Sequence, residues 1–318
     1  DYRYHSVKIL SEFDRTKKQL QVIRNKYFFE KSIDSRTKSK VTALTNSVIR
    51  LRGRIDFIIC NNTKINFKKT NVLIINILRI STFGLLLDEN LPIYAVVDSA
   101  VELAKKLTNN KGAGFVNAIL RKIDKKITSR PDWKSRYENN IEWYSIPTWL
   151  YNKWEENYKK AELRSLLNEI NHNPSFNIRF SPSKMSSKII IKELNKDSIE
   201  VQENINHNNF LKIKNGLNRL LSSNMFQKGQ ISLQDPAAGA VINLLKPKDD
   251  DIIIDACAGP GTKSLQIAQK LSQAGLVLAS DINLKRVKMG ITDIKRHGLE
   301  NIQWSVKDAT KDSFKLVK

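Results

Sequence analysis

The residues best placed to do chemistry lie late in the chain, in the run IIIDACAGPGTKSLQIA. An apolar strand ends in Asp255, a loop of small residues follows, and a helix opens near Thr262. Gly259 and Gly261 let a backbone approach a ligand closely, and a helix N-terminus offers N–H groups without intrahelical partners. That arrangement suits a carboxylate as well as a phosphate. The loop matches neither GxGxxG nor GxxxxGK(S/T), which argues against a dinucleotide or a nucleoside triphosphate. The next strand ends in Asp281, where an acid accepts hydrogen bonds from ribose hydroxyls. The third strand is followed by Asp308, placed for an adenine edge. A nucleoside carrying a carboxylate tail, S-adenosylmethionine (SAM), meets all three features. The bland alternative is a plain turn followed by two surface aspartates. A lone glycine loop would not decide between them; the loop with an acid at the end of two successive strands points to SAM.

These residues need a frame. Ile252–Asp255, Leu276–Asp281 and Ile302–Val306 read as buried strands, with helices over Lys263–Leu271 and Lys285–His297 between them. This βαβαβ pattern is the front half of a doubly wound sheet. Lys285 and Arg286 are read as helix-start residues. Ahead of it, FNIRF, KIIIKEL, SIEVQEN and FLKIK are short β-like runs, with Asn204–Asn218 a loop or weak hairpin. A small α/β subdomain fits. Residues 128–175 form a helical connector in which Pro147 starts a helix. Its Trp133, Trp143, Trp149 and Trp154 are read as packing anchors between domains rather than platforms for bases. Residues 1–127 are helical by spacing, with Val72 to Leu87 a central apolar helix, Pro92 in the first turn of the next, and Gly112 and Gly114 marking a turn before another helix. The expected segments are therefore 1–127, 128–175, 176–228 and 229–318.

The 318 residues carry a formal net charge of +22. That suits a polyanionic partner such as RNA, although compositional drift toward Lys, Asn and Ile would raise the charge without any ligand. Arg50, Arg52 and Arg54, and Arg121 with Lys122, could grip phosphates or simply form solvated helix faces. Asn117 is expected to bond backbone locally. Two cysteines, Cys60 and Cys257, make no disulfide framework or CxxC pair, which fits a reducing cytoplasm. The opening residues are charged throughout, unlike a signal peptide. Asn76 and Arg79 interrupt the most apolar stretch, which is too short and polar to span a bilayer. The four histidines share no metal-ligand spacing. The chain opens on Asp1 rather than Met and stops shortly after its third predicted strand, so both ends are expected to be cut.

DACAGPGTK resembles the DACAAPGGKT motif of the Sun/Fmu (RsmB) family of 16S rRNA cytosine methyltransferases, which make 5-methylcytosine. FQKGQISLQDPAAG is similar to that family's G…SVQDPAS stretch. LRGRID, LPIYAVVDSAVELAKK and KGAGFVNAILRKI resemble its NusB-like N-terminal domain. The likeness covers essentially the whole chain and is strongest at 91–123 and 229–308. It implies a multidomain protein: an all-α NusB-like RNA-binding domain, the small α/β subdomain, and an incomplete Rossmann-like SAM-dependent methyltransferase domain. It implies a SAM pocket of Cys257, Ala258, Gly259, Pro260, Gly261, Thr262 and Lys263, with Asp281 and Asp308. It also implies small-subunit 16S rRNA as partner, no membrane, no metal, a cytoplasmic setting and a monomeric full-length enzyme. Thr262 stands where the family has Gly, and Ser264 where it has Thr. A Thr at a helix start caps well, unless its φ must be positive.

In that family a cysteine attacks carbon 6 of cytosine, making carbon 5 enamine-like for methylation, and a second cysteine assists release. They lie in DAPCSG and ATCS motifs, neither of which occurs in this sequence, so the nucleophile is expected beyond Lys318. Cys257 sits in the SAM loop. Cys60, in IDFIIC, is read as a buried inert thiol. Two other readings stay open: a non-catalytic RNA-binding or ribosome-assembly protein on the same scaffold, and a SAM methyltransferase with another substrate.

Overall fold

Apolar residues at helical spacing dominate the first part of the chain, and the computed structural model makes that part all helix. It describes residues 1–16, 18–86, 92–129, 132–138, 140–182 and 184–311, which divide into two units, Asp1–His172 and Asn173–Lys318.

The first unit runs α1 (Tyr2–Arg15), α2 (Leu20–Glu30), α3 (Ser35–Arg50), α4 (Arg52–Asn62), α5 (Val72–Leu86), α6 (Ile93–Leu107) and α7 (Asn110–Thr128). The short α8 (Trp133–Tyr137), a 3-10 turn (Ile141–Tyr144), α9 (Thr148–Asn157) and α10 (Lys160–Glu169) follow. The apolar α5 is central, packing on α1, α4, α6 and α7 with Ile77 and Leu78 wholly buried. Leu87, expected to end it, lies outside the described residues. Two polar residues of α5, Asn76 and Arg79, are buried in a network. Arg79 forks onto Asp56 of α4 through Nε (2.7 Å) and Nη2 (2.8 Å). Its Nη1 reaches Asp14 of α1 at 2.9 Å, and Asn76 donates to the same carboxylate at 3.0 Å. The network therefore ties three helices together in a setting where unpaired charge is costly.

Gly112 and Gly114 do not mark a turn; both lie inside α7. The turn is at Thr108 and Asn109. Asn109 caps the helix, its Oδ1 accepting from the Gly112 N–H at 2.9 Å. A Cβ at Gly112 would meet Thr108 Oγ1 at 2.3 Å, so close packing, not turn geometry, favours glycine there. Trp143 is buried, and Trp133 and Trp154 pack against the same helical core, while Trp149 is exposed.

The second unit begins with a four-stranded antiparallel sheet of β1 (Asn177–Phe180), β2 (Glu200–Glu203), β3 (Phe210–Asn215) and β4 (Ile231–Leu233), in the order β2-β3-β1-β4. The run KIIIKEL is not a strand but part of α11 (Ser187–Lys196), because Ile190 and Leu194, four apart, are the residues buried against the sheet. β2 and β3 form a hairpin across the Asn-rich stretch. α12 (Leu217–Ser222) and α13 (Asn224–Gln227) lead into β4, and α14 (Pro236–Leu245) leads away from it. Asp235 caps α14 with Pro236 in its first turn, a signal the sequence carries in QDP. A parallel sheet follows: β5 (Ile252–Asp255), α15 (Thr262–Ala268), β6 (Leu276–Asp281), α16 (Leu284–His297) and β7 (Ile302–Val306), ordered β5-β6-β7. All three strands fall where the apolar runs put them. β5 is an edge among the described residues, with Ile252 and Ile254 half exposed.

Candidate functional site

Parallel strands deliver their carboxyl ends to one rim of the sheet, and that rim carries Asp255 and Asp281. Between β5 and α15 the loop turns through left-handed glycines, Gly259 at φ +59° and Gly261 at φ +91°. The loop is tied to β6 at two points. Ala258 N–H donates to the Ser280 carbonyl at 2.8 Å, and Gly259 N–H donates to Asp281 Oδ2 at 2.9 Å. The other oxygen of Asp281 accepts from Asn283 N–H at 2.8 Å. Asp281 as a whole residue is only 6% exposed, and it is both the acid at the strand end and the anchor of the glycine loop. Each of its oxygens keeps a second acceptor site.

The loop fits a closely approaching ligand. A Cβ at Gly259 would meet only Asp281 Oδ2, at 3.9 Å, so the space beside that backbone is open. Gly261 is restricted for a different reason: a Cβ there would lie 2.7 Å from the Trp304 ring, which also packs against Gly290. Thr262 is not the cap of α15. Gly261 holds that position, and the backbone of Thr262 is not left-handed. Ser264 Oγ donates to Asp255 Oδ2 at 2.7 Å, a bond needing only the hydroxyl that Ser and Thr share. Ala258 is buried, Thr262 and Lys263 are half-buried, and Cys257 and Pro260 are exposed. Asp308 follows β7, with Oδ1 accepting from Thr310 N–H (3.0 Å) and Oγ1 (2.6 Å). Those bonds hold its carboxyl below the usual range.

The basic residues of the helical unit do not share one role. Arg52 pairs with Asp14 at 2.7 Å. Arg54 donates from Nε to the Trp143 carbonyl at 2.7 Å and lies over that ring at 4.1 Å. Both guanidiniums are committed within the fold, and burial lowers the pKa of Arg54. Arg50 is half-buried at the end of α3. Arg121 and Lys122 are exposed on α7, and Asn117 Oδ1 accepts from Arg121 Nε at 2.9 Å rather than bonding backbone. Cys60 is exposed, not buried, because it falls on the open side of the last turn of α4. Partial desolvation and Asp56 push its thiol up, away from the reactive thiolate.

One buried polar chain has no motif of its own in the sequence. Arg179 of β1 donates to Gln234 Oε1 at 2.5 Å, and Gln234 donates to Gln266 Oε1 of α15 at 2.6 Å. Its visible trace is an arginine between the apolar Ile178 and Phe180, and a glutamine inside LQIA. No group of three or more His, Cys, Asp or Glu among the described residues could hold a metal. No helix among them is long and apolar enough to cross a membrane.

Residues 1–125 match the NusB family, residues 146–218 the RsmF/B-like ferredoxin-like methyltransferase domain, and residues 242–317 the 16S rRNA methyltransferase RsmB/F family. The chain is 28% identical over 246 residues to a Bacillus subtilis (strain 168) protein named probable ribosomal RNA small subunit methyltransferase B; the match covers 77% of this chain and 54% of the relative. It is 25% identical over 271 residues to the Proteus mirabilis (strain HI4320) protein named ribosomal RNA small subunit methyltransferase B, covering 84% of this chain and 63% of the relative. The chain thus spans about half the length of the Bacillus relative. The crystal structure of PH0851 shares its fold, with a TM-score of 0.66 and 20% identity over 98% of this chain and 70% of that one. The helical unit is accordingly NusB-like, the antiparallel sheet ferredoxin-like and the parallel sheet Rossmann-like.

Proposed function

This chain is a member of the Sun/Fmu (RsmB) family, and from that premise we propose that it is the RNA-binding and SAM-binding portion of a small-subunit rRNA methyltransferase. The observation that carries the SAM assignment is the buried Asp281 carboxylate, which holds the Gly259 backbone and keeps acceptor sites for ribose hydroxyls. SAM bound there would supply the electrophilic methyl group. Of this chain's residues, Gly259 gives the ligand close access to backbone, Asp281 receives the ribose, and Cys257 to Lys263 form the surrounding loop. Asp308 turns its carboxylate on Thr310 and is the outlying member, proposed for the adenine edge.

The substrate is 16S rRNA and the product 5-methylcytosine, made in the cytoplasm by a monomeric enzyme. Neither Cys257 nor Cys60 is the nucleophile in this reading. The first belongs to the cofactor loop and the second to the helical unit. Arg121 and Lys122 are the proposed phosphate contacts of the helical unit, because both are exposed. The test is disruption of the gene in its own organism, followed by bisulfite sequencing of the small-subunit rRNA. Loss of a 5-methylcytosine is expected, and an unchanged pattern overturns the reading.

A further inference from the structure

A cavity of about 160 Å³ lies where β1 and β4 meet the ends of α15 and α16. Arg179, Ser232, Gln269 and His297 line it, with the exposed Lys184 and Gln230 at its mouth. It is separate from the loop that holds Asp281. Helices between parallel strands run back along the sheet, so the C-terminal ends of α15 and α16 sit at the opposite end of the strands from Asp255 and Asp281.

Arg179 is the unusual feature. It is 5% exposed, and its one close partner through Nε is the neutral amide of Gln234. Its Nη2 is fully buried and has no partner among the described residues. The carboxylate that acts on it, Asp293, is itself bonded to Arg296 at 2.6 Å. Burial pulls the Arg179 pKa down to about 10, which still leaves it charged at neutral pH. A buried cation with unused donors is costly unless an anion completes it.

The other groups around the cavity do not supply that anion. His297 is held to about 4, mainly by burial and by Arg296, so it is neutral. Its Nε2 lies 2.8 Å from Arg296 Nη2 and 3.0 Å from Ser232 Oγ. The partial negative charge at the end of α16 is offset by Lys295 and Arg296 in its last turn. With ~30 Å³ for each water, a cavity of this size is large enough to admit a phosphate group.

We propose that this cavity takes a single phosphate group, with the Arg179 guanidinium at its floor and Lys184 at its mouth. Given the RNA reading above, the phosphate belongs to an RNA backbone held away from the reacting base, a contact that positions without reading sequence. Free inorganic phosphate is the other source of the same chemistry.

The experiment uses the whole chain, with Lys184→Ala, which removes an exposed charge, and Arg179→Gln, which keeps a donor for Gln234. Inorganic phosphate is titrated by calorimetry at constant ionic strength, and mixed-sequence RNA by fluorescence anisotropy at several salt concentrations. Phosphate affinity should fall at least about fivefold in Lys184→Ala and be lost in Arg179→Gln, whose melting temperature should not drop because an unpaired buried charge has been removed. RNA affinity should fall alike for all sequences, with the salt slope reduced by about 1. If phosphate binding responds to the variants and RNA binding does not, the cavity serves free phosphate. If wild-type chain binds phosphate but no RNA, the RNA reading fails while the cavity assignment stands. Phosphate titrations that show no binding, or are identical in all three proteins, overturn the proposal. So does an Arg179→Gln variant that loses stability alone, which would make Arg179 purely structural.

Discussion

Replacing Asp281 by alanine probes the anchor and the acid together. The carboxylate accepts from Gly259 N–H at 2.9 Å and from Asn283 N–H at 2.8 Å. Hydrogen bonds to a charged group contribute roughly 1.5–3 kcal/mol each. Asn283 is exposed, so water replaces its lost bond cheaply, whereas Gly259 is buried and its N–H is left without an acceptor. A stability loss of about 2–3 kcal/mol follows, read as a lower urea midpoint with unchanged slope. If the same oxygens also receive ribose hydroxyls, losing even one such bond removes about 1.5 kcal/mol of binding. Since 1.4 kcal/mol is one decade, the SAM dissociation constant should rise at least about tenfold. Asp281→Asn keeps one acceptor oxygen and should fall between the two on both scales. Calorimetric titration of SAM with each protein supplies the second measurement. An alanine variant that loses stability yet binds SAM within about threefold of wild type would make Asp281 a loop anchor only. One that changes neither quantity would refute the geometry as well.

Asp56→Ala removes the fork on Arg79 and should cost about 2–3 kcal/mol in urea unfolding, less than a fully orphaned charge because Asp14 remains; an unchanged midpoint would mean the network contributes nothing. Gly290→Ala puts a Cβ 2.3 Å from the Trp304 ring and should destabilise by about 1–3 kcal/mol, whereas Gly114→Ala, with nothing within 4 Å, should stabilise α7 by about 0.5–1 kcal/mol. Thermal melts of the two variants should shift in opposite directions. SAM should protect Cys257 but not Cys60 from alkylation, and methyl transfer to unmodified 16S rRNA by the 318-residue chain should stay at background; transfer abolished by Cys257→Ser or Cys60→Ser would overturn the exclusion of these thiols. Unfolded His297 takes its proton near 6.5 and folded His297 near about 4, so between those values the unfolded chain binds more protons and stability falls as pH drops. His297→Gln should flatten that acid limb, and identical pH profiles would count against a buried neutral ring.

What the sequence made legible were the elements whose pattern is local. β5, β6 and β7 are short apolar runs that each end at a polar residue or turn, and the carboxyl end of β6 places Asp281 without further information. The loop glycines were equally plain, since two of them adopt the left-handed conformation that glycine favours. Local pattern misled where packing decides. Three successive isoleucines suggested a strand at 189–191, but the burial of Ile190 and Leu194 together selects a helix. Gly112 reads as a turn until Thr108 is seen filling the space a Cβ would need. Arg52 and Arg54 looked like a phosphate grip, and their commitment to Asp14 and Trp143 depends on contacts 38 and 89 residues away in sequence. Cys60 lies in an apolar run, yet one helical turn decides which of its residues face outward. The cavity around Arg179 had no motif, because its walls come from two strands of one sheet and the ends of two helices far apart in sequence.

The most direct test of the SAM site is photochemical cross-linking of methyl-labelled SAM to the 318-residue chain, followed by mapping of the labelled peptide. Label is expected within residues 252–286, displaced by S-adenosylhomocysteine and strongly reduced in Asp281→Ala. Label that maps to the helical unit, or that persists undiminished in the Asp281→Ala protein, would contradict it.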